Sequence, residues 1–228
     1  MKIAIDLLFI TITLFLAIAF SIGVRHMFGK RRGGVLTGLL ILLLGVQAFL
    51  AHQHVFDDFS SLPPRIFIIV VPWFLVSLIL LFLPMTSHWV KNLPQATLSG
   101  IQAYRIPVEF VLWGLFAEGI IPEQMTFEGR NFDIISGILG GIIGLLLWRE
   151  VKLPKFVLLL WNIIGIGLLF NILAVAILST PSPLRYFMNE PANTVVAEFP
   201  YIWLPGFVAP MAFLIHVLSI RKALSSRR

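Results

Sequence analysis

Seven stretches of this chain are apolar over a length that crosses, or nearly crosses, a bilayer. They run approximately over residues 3–24, 35–51, 66–83, 98–121, 132–148, 156–179 and 201–220. The hydrocarbon core takes about 20 helical residues, and lipid offers no partner to an unpaired backbone N–H or C=O, so each stretch is predicted to be a helix. Charge or turn chemistry separates every stretch from the next, as in RHMFGKRRGG, SHWVKNLPQ and REVKLPK. The predicted fold is an all-α bundle of seven transmembrane helices, a single integral membrane domain over 1–228 with no soluble domain.

Composition supports this reading. The chain is 58% hydrophobic and 12% charged, whereas a soluble domain carries roughly 25% charged residues. Too little polar surface remains to cover a soluble globule. The net charge of +6 is accounted for by membrane orientation, and nucleic acid is not an expected partner. With no cysteine, disulfides, thiolate nucleophiles and Cys-ligated metals are excluded.

Basic residues fall unevenly between the connections. Arg25, Lys30, Arg31, Arg32, Lys91, Arg149, Lys152, Lys155, Arg221, Lys222, Arg227 and Arg228 lie in the first, third and fifth connections and the C-terminal tail. The N-terminus and the alternate connections carry Lys2, Arg65, Arg130 and Arg185, with most of the acids. Lys and Arg stay on the cytoplasmic side, so the N-terminus is expected outside and the C-terminus inside. Trp89, Trp148 and Trp161 then mark the inner interface and Trp203 the outer one.

The fourth stretch contains QAYRIPVEF, with Arg105 and Glu109 near mid-membrane. Each costs about 2.5–3.5 kcal/mol there on insertion scales. Their i, i+4 spacing puts both on one helix face with Gln102, and Pro107 between them removes a backbone donor to Ala103. Two accounts stand side by side: a structural ion pair that fixes helix packing, or a substrate, ion or proton site formed by Gln102, Arg105 and Glu109. A second group, Glu118, Glu123, Glu128, Arg130 and Asp133, lies at the outer face, in a solvated loop or a folded-over cap. The fifth stretch is rich in glycine, and Gly137, Gly140, Gly141 and Gly144 are spaced for close helix contact. This face is a docking surface for another helix, a second copy or a partner membrane protein. His52 and His54 cannot both reach one ion from a helix, and His216 has no second histidine at matching depth for haem. No metal site, cofactor or catalytic residue is expected.

Two seven-span families fit less well. Microbial rhodopsins need a lysine in the last span, and residues 201–220 contain none. Sugar transporters of three-plus-one-plus-three helices carry a Pro-Gln pair, whereas Pro94-Gln95 lies in a connection. The stretches QAYRIPVE, FEGRNFDI and FPYIWLPGFVAP together resemble an uncharacterised group of bacterial multi-pass membrane proteins, over roughly the last 130 residues. The resemblance implies the bacterial cytoplasmic (inner) membrane and assigns neither an activity nor site residues.

The leading functional reading is a small transporter or channel-like protein, handling an unknown small molecule or ion among membrane lipids. An anionic group of the cargo would sit on Arg105 and a proton on Glu109. The alternatives are an interfacial enzyme acting on a lipid or isoprenoid through the outer acids, and a non-catalytic assembly subunit docking through Gly137, Gly141 and Gly144.

Overall fold

A computed structural model describes residues 1–225; Arg227 and Arg228 of the basic tail lie outside the described residues. Among the described residues the protein is all-helical, without strands. The helices are α1 (Lys2–His52), α2 (Phe67–Phe82), α3 (Pro84–Trp89), α4 (Gln95–Gly100), α5 (Arg105–Ala117), α6 (Asp133–Trp148), α7 (Lys155–Leu178) and α8 (Ala209–Ser225). Three helical runs are long and apolar enough to cross a membrane: Lys2–His52, Lys155–Leu178 and Leu204–Ser225. A fourth is added when α2 is joined to its bent continuation Pro84–Asn92, and α6 is a shorter apolar helix. The seven apolar stretches thus occupy fewer uninterrupted rods than the sequence predicts, and the interruptions have chemical causes.

The first two stretches form one helical run broken at Gly29, whose φ of 81° and ψ of 170° lie where L side chains are strained. A Cβ on Gly33 would lie 2.7 Å from the Arg25 Cα. The run therefore doubles back at Gly29. Beyond α2 the axis bends by 83°, because Pro84 holds the residue before it in an extended conformation (Leu83 ψ 121°). Arg221 Nη2 donates to the Leu83 carbonyl at 3.0 Å, placing a cation at the carbonyl end of α2, where the helix dipole favours it.

The fourth stretch is three pieces: α4, a 3-10 turn over Ile101–Tyr104, and α5. Pro107 can offer Ala103 no N–H and crowds that carbonyl, so the helix tightens just before it. In the last stretch a π-type turn over Leu204–Val208 precedes α8. Pro210 leaves the Gly206 carbonyl without its usual donor, and Gln47 Nε2 supplies one at 3.1 Å. A Cβ on Gly206 would lie 2.5 Å from Gln47 Oε1, so a larger residue there would push the Gln47 amide aside.

α8 is the central post, packed by α7, α2 and α4. The most apolar part of Leu204–Ser225, which α8 completes, is 72% buried, against 28% for α1 and for α7. The outer helices are built inside out. On α6, Ile135, Ile138, Ile142 and Leu145 are exposed, whereas Asp133, Ser136, Gly137, Gly140 and Gly144 face inward. Apolar groups outside and polar groups inside suit a lipid surround. The glycine face of α6 lies against residues 96–106 of the same chain: a Cβ on Gly144 would lie 2.4 Å from the Gly100 Cα, and one on Gly137 3.2 Å from the Arg105 Cβ.

Contacts sort the connections between two ends of the bundle. At one end Phe28 meets Trp89, Lys222 Nζ donates to the Lys91 carbonyl, and Lys155 reaches the Leu224 carbonyl. At the other, Trp113 donates to Glu128, Gln124 to Ser179 and Arg185 to Glu190. Trp161 departs from its expected interfacial place. It is buried against His216 and donates to the Ser136 carbonyl, while Trp148 is 75% exposed.

Candidate functional site

Arg105 opens α5 and turns its guanidinium into the interior, where the side chain is 2% exposed. A guanidinium has five N–H donors, and each finds an acceptor. Nε and Nη2 form a bidentate pair with the two oxygens of Asp133. Nη1 donates to Ser136 Oγ at 2.8 Å and to His216 Nε2 at 3.0 Å, and the second Nη2 hydrogen points to the Gly165 carbonyl at 3.5 Å. Arginine suits this role because its planar fork matches a carboxylate.

The direct Arg105–Glu109 pair invited by the i, i+4 spacing is not formed. Glu109 is also buried, but both its oxygens accept from Asn131 Nδ2, at 2.8 and 2.7 Å. Asn131 Oδ1 in turn accepts the backbone N–H of Asp133 at 3.0 Å. The two charges of the fourth stretch are linked through a loop asparagine and the first residue of α6.

The string continues past Arg105. His216 Nδ1 lies 2.8 Å from Asn162 Oδ1. An amide oxygen only accepts, so Nδ1 carries the proton and Nε2 is left as the acceptor facing Arg105. Asn162 Nδ2 donates to Ser219 Oγ at 2.9 Å, and Gln95 Nε2 donates to the same hydroxyl at 2.6 Å. Eight side chains from α4, α5, α6, α7, α8 and one loop, with Ser136 as a ninth branching from Arg105, thus form a polar string inside an apolar bundle. Gly165 makes room for it: a Cβ there would lie 2.4 Å from His216 Cε1 and 2.6 Å from Ser136 Oγ.

Asp133 and Asn131 reach this depth because the connection after α5 folds inward. Ile121, Gln124, Met125, Thr126 and Asn131 are all buried, which corrects the solvated-loop reading. The connection after α7 covers it: Gln124 Nε2 donates to Ser179 Oγ at 2.9 Å, Asn189 Nδ2 to Gln124 Oε1 at 2.8 Å, and Asn171 Nδ2 to the Arg130 carbonyl at 2.7 Å. Beneath the two connections lies a cavity of about 70 Å³, lined by Arg105, Glu109 and Asp133 with apolar neighbours including Leu112, Met125, Leu173 and Val208.

The remaining sequence candidates do not join this cavity. Gln102 is buried, but it donates to the Ala212 carbonyl at 3.0 Å and packs against Gly140, fastening α8 to the fourth stretch. Glu118 lies 4.0 Å from the N-terminal ammonium, Glu128 accepts from Trp113 Nε1, Glu123 is exposed, and Arg130 stacks over Phe187. Asp133 alone of the outer group enters the site. Gln95, Asn131, Ser136, Asn162, His216 and Ser219 are the participants that spacing does not reveal. Among the described residues no group of three metal-ligating side chains converges. Comparison with family models, curated proteins and solved structures finds no match to this chain. The site is therefore interpreted from its own geometry.

Proposed function

We propose that this protein is a small transporter or channel-like protein of the bacterial cytoplasmic membrane, with Glu109 as its proton-exchanging group. It crosses the membrane seven times as one domain, through the two arms of α1, α2, the α4–α5 run, α6, α7 and the Leu204–Ser225 rod. The N-terminus is outside and the C-terminus inside. The observation that carries the reading is the polar string that runs from buried Glu109 to half-buried Gln95 beside an apolar-walled cavity. Ionisable groups in membrane interiors are costly and mark ion pathways and proton relays.

Geometry divides the roles. All five Arg105 donors are occupied, so an anionic cargo would first have to displace Asp133. Glu109 has Asn131 as its hydrogen-bonding side chain and no cationic partner among the described residues. It faces the cavity, whose volume of about 70 Å³ is far below the roughly 300–1,000 Å³ of organic-ligand pockets. A few waters fit there and would connect Glu109 with Asp133. Protons match this space better than a sugar or a lipid does.

The test is proton flux in proteoliposomes driven by an imposed membrane potential. Wild-type protein should acidify or alkalinise the lumen well above protein-free vesicles, and Glu109→Gln should lower the rate at least tenfold with an unchanged melting temperature. Flux equal to that of empty vesicles, or a fully active Glu109→Gln variant, would overturn the reading.

A further inference from the structure

A second cavity, of about 410 Å³, lies between the α1 arms, α2 and α8. Its walls are apolar and include Gly23, Met27, Leu40, Trp73, Leu98 and Met211. Through Gly23, Thr97 and Ile101 it adjoins an open recess of about 780 Å³ on the other side of the first arm. Arg25, Lys30, Arg31 and Arg32 are exposed where α1 turns, immediately beside the cavity-lining segment, and none has an acidic partner among the described residues. The edge contact of Phe28 with Trp89, at 5.0 Å, holds the turn against α3.

We propose that this cavity and the cationic turn together bind one anionic phospholipid, with an acyl chain in the cavity and the phosphate head group on Arg25, Lys30, Arg31 and Arg32. The cavity falls in the size range of ligand pockets. An acyl chain leaving bulk lipid for an apolar wall exchanges like for like, so the chain supplies fit and the head group supplies selection. Basic clusters at a membrane surface attract anionic lipids over zwitterionic ones. The site is separate from Glu109 and does not depend on transport.

Tryptophan fluorescence of delipidated protein in neutral detergent, titrated with lipids brominated on the acyl chain, reads occupancy directly because Trp73 and Trp89 line the cavity. Brominated phosphatidylglycerol should quench saturably, with an apparent affinity at least tenfold above brominated phosphatidylcholine. Replacing Arg25, Lys30, Arg31 and Arg32 together by Gln should reduce that preference to less than twofold. Gly23 has open space where a Cβ would be, so Gly23→Phe should fill the cavity and remove saturable quenching without lowering the melting temperature. Gly38→Phe, also placed in open space but away from the cavity, should leave quenching intact. Equal quenching by the two lipids, or saturable quenching that survives Gly23→Phe, would overturn the proposal; so would loss of quenching in both glycine variants.

Discussion

Arg105 spends all five donors on Asp133, Ser136, His216 and the Gly165 carbonyl, and this sets what can replace each partner. Removing one member of a buried ion pair leaves an uncompensated charge at a cost of about 3–5 kcal/mol, whereas matched apolar replacement of both is often neutral. Asp133→Leu alone should therefore lower the melting temperature sharply in detergent, and Arg105→Met with Asp133→Leu should recover most of the loss. A double variant no more stable than the worse single one would show that the two residues are not a coupled pair. Gly165→Ala tests the same cluster from the backbone side, because its Cβ would fall 2.4 Å from the His216 ring. Relief requires either the imidazole or α7 to move, at roughly 1–3 kcal/mol. Sequence made part of this legible: the cost of charge in lipid requires Arg105 and Glu109 to face inward, and they do. It did not reveal Asp133 as the partner. Four-residue spacing tells which side chains share a helix face, and says nothing about a carboxylate 28 residues away in sequence that reaches the guanidinium first.

Among the elements, α6 is held by backbone approach. Gly144 meets the Gly100 Cα and the Ala96 carbonyl, which are main-chain atoms and cannot rotate away, while Gly141 meets only the Ala103 Cβ at 3.4 Å. Gly144→Ala should cost about 1–3 kcal/mol by overpacking, and Gly141→Ala should stay within about 0.5 kcal/mol of wild type. Thermal melts that rank the two the other way would contradict this register of α6 against the fourth stretch. The small-residue pattern on α6 is readable in sequence because lipid-phase packing selects for it. The inward fold of the connection after α5 is readable only as one of two alternatives, because Glu123, Glu128, Arg130 and Asp133 give it the composition of a solvated loop. The connection after α7 carries its own titratable fastening. Arg185 donates to Glu190, and the Glu190 carboxylate also accepts the Ala192 N–H at 2.7 Å; these bonds hold the Glu190 pKa below the usual carboxylate range. A depressed folded-state pKa stabilises the loop above the ordinary carboxylate value and ceases to do so as pH falls through the lowered one. Amide exchange at Ala192, corrected for its intrinsic pH dependence, should lose protection in that acid window, and Glu190→Gln should remove the pH dependence.

At the scale of the whole molecule, the separation of charge between the two ends ties the sequence pattern to the packing. Phe28 against Trp89, Lys222 on the Lys91 carbonyl and Lys155 near the Leu224 carbonyl gather the basic connections at one end. The connections after α5 and α7 interlock at the other through Gln124, Ser179 and Asn189. An odd number of crossings is needed to put the N-terminus among the acidic connections and the end of α8 among the basic ones. Seven crossings meet that requirement only if α1 counts twice, which the reversal at Gly29 allows, and if the broken α4–α5 run counts once. Because Lys and Arg resist transfer across the membrane, the basic end should face the cytoplasm. A reporter active only in the cytoplasm should therefore work when fused after Arg228 and fail when inserted between Pro181 and Pro191. One inserted after Gly29 should work, because that turn belongs to the basic end. Activity of the 181–191 insertion with silence at Gly29 would invert the bundle and put the cationic turn on the outer leaflet. Activity at Arg228 with silence at Gly29 would mean that α1 does not reverse across the membrane, and would reduce the crossings below seven.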